Sequence, residues 1–445
     1  MFIIIGRNFI NAYVSITSVD THSLRTKIRP NKHLENSLSI IYYMGMWPSQ
    51  SRYKRLYMLY TIFSFTFLLG IFLASEIAYI IVNRRSVDKI VAGATLLMTN
   101  ITHVIVIICR HKCIKDLTDI TRSKIFSQDN DKYEEIVTHY TWQGIFHHIA
   151  YQSFGLMAVI SWGVTPVLNI LTQRSKELAM EGWYPYNTTS TPAFEITSSY
   201  QAVAIFLCCI NNVAIDTLIT GLITVACCQL TILSSNISSM YCVENTKSFV
   251  KNDNIDLTIS APKTCNKLIS MIFIVFIVKL LNISSFSKQI QNIFGTVIFL
   301  QFLVNCIIIC LIAFNITQVY FTYYIPYVLC GMLMYMCCMT YQIFIYCWHG
   351  NELYLHSMNV TLSAYSNNWW NNSKDFKQAI CIIMVRVQQP LILTAGNIME
   401  LSLQTFVRVC IHICNTWNIY KTYYYDFSDF ANVVFHFYCF TKFCK

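Results

Sequence analysis

The sequence predicts an all-α membrane protein with seven transmembrane helices, its N-terminus cytoplasmic and its C-terminus extracellular, on three observations. Only 12% of the 445 residues are charged, against about 25% in a soluble globular chain, while 55% are hydrophobic. Uninterrupted apolar runs long enough to cross a bilayer recur along the chain, where a membrane β-barrel would show roughly ten-residue alternating strands. Lys and Arg alternate between rich and poor from one loop to the next.

The apolar runs place the helices near 57–82, 90–109, 149–171, 201–226, 294–315, 324–347 and 390–414. Met271 to Leu281 is too short to span and is interrupted by Lys279, so it predicts an amphipathic cytoplasmic or interfacial helix. The segment before the first helix, and every second loop after it, together carry roughly 23 Lys and Arg, against about five in the remaining loops. Positive charge stays inside, which puts the N-terminus in the cytoplasm and, after seven crossings, the C-terminus outside. Arg84 and Arg85 oppose this orientation and are outvoted. Among several Asn-x-Ser/Thr sequons, Asn187-Thr188-Thr189 falls in the longest outer loop and is the expected glycosylation site. This orientation is inverted relative to a G-protein-coupled receptor. The Asp/Glu-Arg-Tyr and Asn-Pro-x-x-Tyr signatures of that class are also missing.

Other classes recede on chemistry. The 19 cysteines include the adjacent pairs Cys208-Cys209, Cys227-Cys228 and Cys337-Cys338 inside apolar runs. Helix neighbours point apart and bridge poorly, so these read as soft buried residues rather than a disulfide framework. Cys109, His111 and Cys113 are spaced too tightly for zinc and are flanked by Arg110 and Lys112, so no metal is expected there. His147-His148 lacks a third ligand, and no glycine-rich phosphate loop is present. No enzyme activity and no cofactor are therefore expected. The net charge of +10 is assigned to cytoplasmic loops rather than to nucleic acid. Phe2 to Ile5 is too short for a signal-peptide core.

Polar residues inside apolar runs are the candidates for function. Asn397, Glu400, Gln404, Arg408 and His412 recur every three or four residues and predict one polar stripe down the last helix. That stripe must face protein or water. Pore lining and a helix–helix seam, with Arg408 snorkelling outward, are both open readings. Glu76 and Asp216 are intramembrane carboxylates. Val407, Ile411 and Cys414 are spaced to form an apolar constriction.

From the sixth helix onward the chain resembles the insect odorant receptor family. The residues are Tyr346-Cys347-Trp348-His349-Gly350-Asn351-Glu352-Leu353, then Ser357, Ala364-Tyr365 and Trp369, then Met384, Arg386, Gln388, Pro390 and Thr394-Ala395-Gly396, continued by Leu401, Ser402, Leu403 and Phe406. Weaker echoes are Gly45-Met46-Trp47-Pro48 and Trp183-Tyr184-Pro185-Tyr186 with Gln201 and Asp216. The resemblance covers roughly residues 35–412, and the segment after His412 departs from the family's usual ending. Thr422-Tyr423 starts like the ending of the sister gustatory receptors but fails at Asp426.

The resemblance implies a tetrameric, ligand-gated, non-selective cation channel of the olfactory neuron's plasma membrane, tuned to a volatile odorant. The family's co-receptor carries a longer insertion between the fourth and fifth helices, which this chain lacks, so the chain resembles the ligand-tuning partner in a heterotetramer. The implied organisation is a cytoplasmic segment over 1–55, helices one to six with the odorant-binding bundle over 56–347, a cytoplasmic anchor over 348–389, a pore-lining last helix over 390–414 and a divergent tail over 415–445. Trp162, Phe206, Ile210, Tyr324 and Tyr327, with Thr95, are the pocket candidates. Thr394, Ala395, Gly396, Val407 and Ile411 are the pore candidates, and Tyr365, Trp369, Arg386 and Pro390 are the anchor candidates. A secondary transporter with intramembrane carboxylates and a gustatory-type receptor channel are the alternatives, although no internal repeat supports the transporter.

Overall fold

The computed structural model describes residues 31–45, 47, 54–64, 66, 70–82, 112–123, 126, 133–171, 176, 178–180, 182–250, 261–322, 326–366, 369–371 and 374–422. The predicted second span at 90–109, the residues before 31 and those after 422 lie outside this set. The helices are α1 (Lys32–Tyr43), α2 (Lys54–Ser64), α3 (Ile71–Val82), α4 (112–121), α5 (Glu134–Leu171), α6 (Ala193–Val250), α7 (Ala261–Thr322), α8 (Pro326–Tyr365), α9 (Lys374–Val387) and α10 (Leu403–Thr422). A two-stranded antiparallel hairpin, β1 (Thr394–Ala395) and β2 (Met399–Glu400), precedes α10.

Four described helices contain segments long and apolar enough to cross a membrane, namely Glu134–Leu171, Ala193–Ser238, Ile274–Ala313 and Leu329–Tyr365. They outrun the bilayer. The 38 residues of α5 reach about 57 Å, where a hydrocarbon core is about 30 Å thick. Hydropathy sees only the lipid-crossing part, which is why the predicted span began at 149 while the helix begins at Glu134.

The helices differ in how many sides they bury. In α6 every residue from Val213 to Leu230 is buried, the signature of a helix surrounded by protein. It packs against α5, α8, α1 and α7. In α5 the buried residues Thr141, Ile145, His148, Gln152, Gly155 and Val159 alternate steps of four and three, so one stripe faces the bundle. Its other face exposes Phe146, Met157, Ile160, Val164 and Val167, as a lipid-facing helix does. In α7, Ile283, Phe286, Ile290, Phe294 and Val297 follow steps of three or four and face α6 and α8.

Two sequence expectations are corrected. Met271 to Leu281 is not a separate short helix but part of the continuous 62-residue α7. The last helix begins at Leu403 rather than near Pro390, because Ser402 caps it by accepting the Thr405 N–H at 3.2 Å. The chain before it turns back on itself at Asn397 and Gly396, both at positive φ. Asn397 and Glu400 therefore belong to the hairpin, and the polar stripe starts at Gln404.

Candidate functional site

A cavity of about 90 Å³ lies in the middle of the bundle, where α3, α5, α6 and α8 meet. One side is apolar, built by Phe72, Val159, Trp162 and Ile205. The Trp162 and Tyr335 rings meet edge-to-face at 4.6 Å and form an aromatic corner. Gly155 contributes bare backbone, where a Cβ would sit 2.7 Å from the Cys209 sulfur. The opposite side is polar, with Tyr151, Asn212 and Gln342. A wider cleft of about 710 Å³ lies between the N-terminal half of α5 and the C-terminal half of α8, lined by His139, His147, Trp348 and His356 among others.

The polar wall is tied to Asp216, whose residue is fully buried. Its carboxylate accepts hydrogen bonds from the Tyr151 hydroxyl at 3.1 Å, the Tyr346 hydroxyl at 2.7 Å and the Gln342 amide at 2.5 Å. Gln342 Oε1 in turn accepts from Asn305 Nδ2 at 2.9 Å, and Asn305 Oδ1 accepts from Gln301 at 3.3 Å. Four helices thus share one buried network, two members of which face the cavity. A buried carboxylate demands such donors, since an unpaired one would be strongly destabilising.

The network ends on α7, and α7 also holds the hairpin. Gln291 reads the Thr394 backbone from both sides, accepting its N–H at 2.8 Å and donating to its carbonyl at 2.6 Å. The Gly396 N–H donates to the Gly295 carbonyl at 2.8 Å. Gly396 has φ +61°, and a Cβ there would lie 2.8 Å from Phe299, so both the turn and the close approach require glycine. Ala395, in the first strand of this hairpin, is fully buried. From Ser402, α10 packs Thr405 and Val409 inward, and Phe406 meets Phe344 of α8 at 5.5 Å. It leaves Gln404, Val407, Arg408, Ile411 and His412 exposed along one face, Val407 and Ile411 at 53% each.

Of the predicted pocket residues, Trp162 lines the cavity. Ile210 is buried and Phe206 is 37% exposed, and neither is among the described lining residues. Thr95, Tyr324 and the side chains of Tyr327 and Cys414 lie outside the described residues. Of the anchor residues, Arg386 donates to Ser284 at 3.1 Å and joins α9 to α7. Trp369 packs against the core, Pro390 leads into a segment whose Leu391 N–H donates to Ser357 at 3.1 Å, and Tyr365 is exposed at the end of α8. Asn187 is exposed, and its side-chain oxygen accepts from the Thr189 N–H at 3.0 Å and the Thr189 hydroxyl at 2.7 Å. Sequence reasoning singled out Asp216 but missed Tyr151, Tyr335, Asn305 and Gln342. The intramembrane amides were a visible signal, since an amide inside an apolar run needs a partner.

A sequence model described as 7tm odorant receptor matches residues 86–411. Odorant receptor 94a of Drosophila melanogaster is 24% identical over 262 residues, 57% of this chain and 61% of that protein. Odorant receptor Or1 of Anopheles gambiae is 24% identical over 281 residues, 60% and 64% of the two chains. Odorant receptor 10 of Aedes albopictus is 40% identical over 65 residues, 15% of this chain and 17% of its own. The matched segments thus span less than two thirds of these relatives. The fold is shared with the olfactory receptor OR5 of Machilis hrabei, solved in complex with eugenol, at a TM-score of 0.72 and 16% identity over 87% of this chain and 97% of that one. With the family model matching well over half of its length, a helical bundle of this fold and the odorant-receptor block in its last third, the chain belongs to the insect odorant receptor family.

Proposed function

We propose that this chain is the ligand-tuning subunit of an odour-gated, non-selective cation channel, assembled with the family's co-receptor as a heterotetramer in the plasma membrane of olfactory sensory neurons. The observation that carries the reading is the cavity whose polar wall belongs to the Asp216 network. A small molecule there touches Tyr151 and Gln342 directly. Gln342 passes any displacement to Asn305 on α7, and α7 grips the hairpin that opens α10. A second route runs from Phe344, two residues from Gln342, to Phe406 on α10. A ligand moves such a system only by binding one state better, by a few kcal/mol for a useful shift.

Seven crossings with the N-terminus inside are supported by the loop charges and by family membership. The pore assignment rests on α10. A face carrying Gln404, Arg408 and His412 is costly against lipid, and four such faces around a water-filled axis relieve that cost. Thr394, Ala395 and Gly396 set the entry to this helix, while Val407 and Ile411 provide an apolar ring that gates by dewetting. The test is co-expression with the co-receptor in oocytes under a broad odorant panel that includes eugenol. An odour-evoked cation current is expected. A well-trafficked complex that stays silent, while the chain alone drives solute uptake, would favour a transporter.

A further inference from the structure

Glu76 sits on α3 one helical turn beyond Phe72, on the face that Phe72 presents to the cavity. Its residue is 3% exposed, and neither carboxyl oxygen has a hydrogen-bond partner among the described residues. It lies near Cys208 of α6 and Tyr335 of α8, both cavity walls. The contrast with Asp216 is the informative point. Asp216 binds two residues of the cavity wall, Tyr151 and Gln342, and is supplied with donors, whereas Glu76 is shut away from water with neither donor nor cation among the described residues. A buried carboxyl left in that condition is an unmet demand.

Resting on the reading of this cavity as the odorant site, we propose that Glu76 is the anionic handle of the pocket and that the preferred ligand is a small aliphatic amine. The amine nitrogen supplies what Glu76 lacks. If the ligand arrives as the free base, an N–H bond forms as the carboxyl O–H breaks. If it arrives as ammonium, it meets the carboxylate directly. Both routes end in the same charge-assisted pair. Trp162 and Tyr335 place aromatic rings at the same cavity, where a cation gains from their faces. The apolar wall accepts the alkyl chain. The size agrees, since about 90 Å³ is smaller than the roughly 150 Å³ cavity known to admit benzene and suits a short chain.

The test compares n-butylamine with n-butanol, which have similar shapes and differ in the charge their head group can carry. Binding is read as ligand-induced thermal stabilisation of the full-length chain in lipid nanodiscs, and activation as current with the co-receptor. Butylamine should act at a concentration at least tenfold lower than butanol, and Glu76→Gln should abolish that preference. Equal potency of the two probes overturns the proposal, as does an amine preference that survives Glu76→Gln. Should the Gln variant fail to reach the membrane, Glu76→Met, similar in length and without charge, gives the same reading. A reduced amine preference supports the proposal and an unaltered one overturns it. Butylamine binding through Glu76 without any odour-evoked current would refute the channel and not the amine site. Odour-evoked current with no amine preference would do the reverse.

Discussion

Asp216 gathers donors from α5 and α8 at one fully buried point of α6. Removing it leaves Tyr151, Gln342 and Tyr346 without that acceptor, and each orphaned buried donor costs about 1–3 kcal/mol. Asp216→Ala should therefore destabilise the solubilised chain by roughly 3 kcal/mol or more, and Asp216→Asn, which keeps one acceptor oxygen, by clearly less. Thermal unfolding followed by size-exclusion fluorescence measures both. An Ala variant as stable as wild type would remove the network from any structural role. The sequence showed the carboxylate in an apolar run but not its partners, because Gln342 and Tyr346 stand over a hundred residues away. Only the packing of α5 antiparallel to α6, and of α8 parallel to it, brings them to one depth.

At the scale of elements, α1 shows how a short helix is held to a large bundle. His33, Leu34, Ser37 and Ile41 form its buried stripe. They fit a notch made by two glycines, since a Cβ on Gly221 would lie 2.8 Å from Leu34 and one on Gly144 would lie 2.7 Å from His33. The His33 Nε2–H donates to the Gly221 carbonyl at 3.3 Å, while Nδ1 has no partner among the described residues. Burial lowers the His33 pKa from 6.5 to about 4, with the Gly221 hydrogen bond opposing the shift. The undocked helix thus binds a proton that the docked one refuses. Docking is at full strength above about 6.5 and weakens as pH falls, with the loss complete near 4 and on the order of 3 kcal/mol. The hydrogen-exchange protection of residues 32–43, taken relative to the intrinsic rate at each pH, should fall between about pH 7 and pH 5, and His33→Gln should flatten that dependence. Equal protection at both pH values would exclude the docking switch. The hairpin before α10 is the other lesson at this scale. Its hydrophobic pattern reads as a continuation of the helix, and only the positive φ at Gly396 and Asn397, enforced by Gln291 and Phe299, reverses the chain.

At the scale of the whole molecule, the exposed face of α10 bears on assembly. Val407 and Ile411 are half exposed in the single chain, and their neighbours Gln404 and Arg408 are poor company for lipid. If they line a gate, Val407→Ala or Ile411→Ala should raise basal current severalfold or alter ion permeability while leaving the ranking of odorants intact, because neither residue borders the cavity. Patch-clamp recording of surface-expressed complexes decides this. Normal basal current with unchanged permeability would place the gate elsewhere.

The sequence alone determined the solvent of this protein, its helical class, its family and the identity of its intramembrane polar residues. Each follows from local composition and motif: a run of apolar residues is legible wherever it stands, and so is the block from Tyr346 to Phe406. The tertiary structure alone decided where helices continue past the membrane, where α10 begins, which wall of the cavity is polar, and that among the described residues Asp216 finds donors while Glu76 does not. Those are properties of pairs of residues far apart in the chain, and hydrophobic periodicity carries no information about which distant side chain will stand opposite another once the helices have packed.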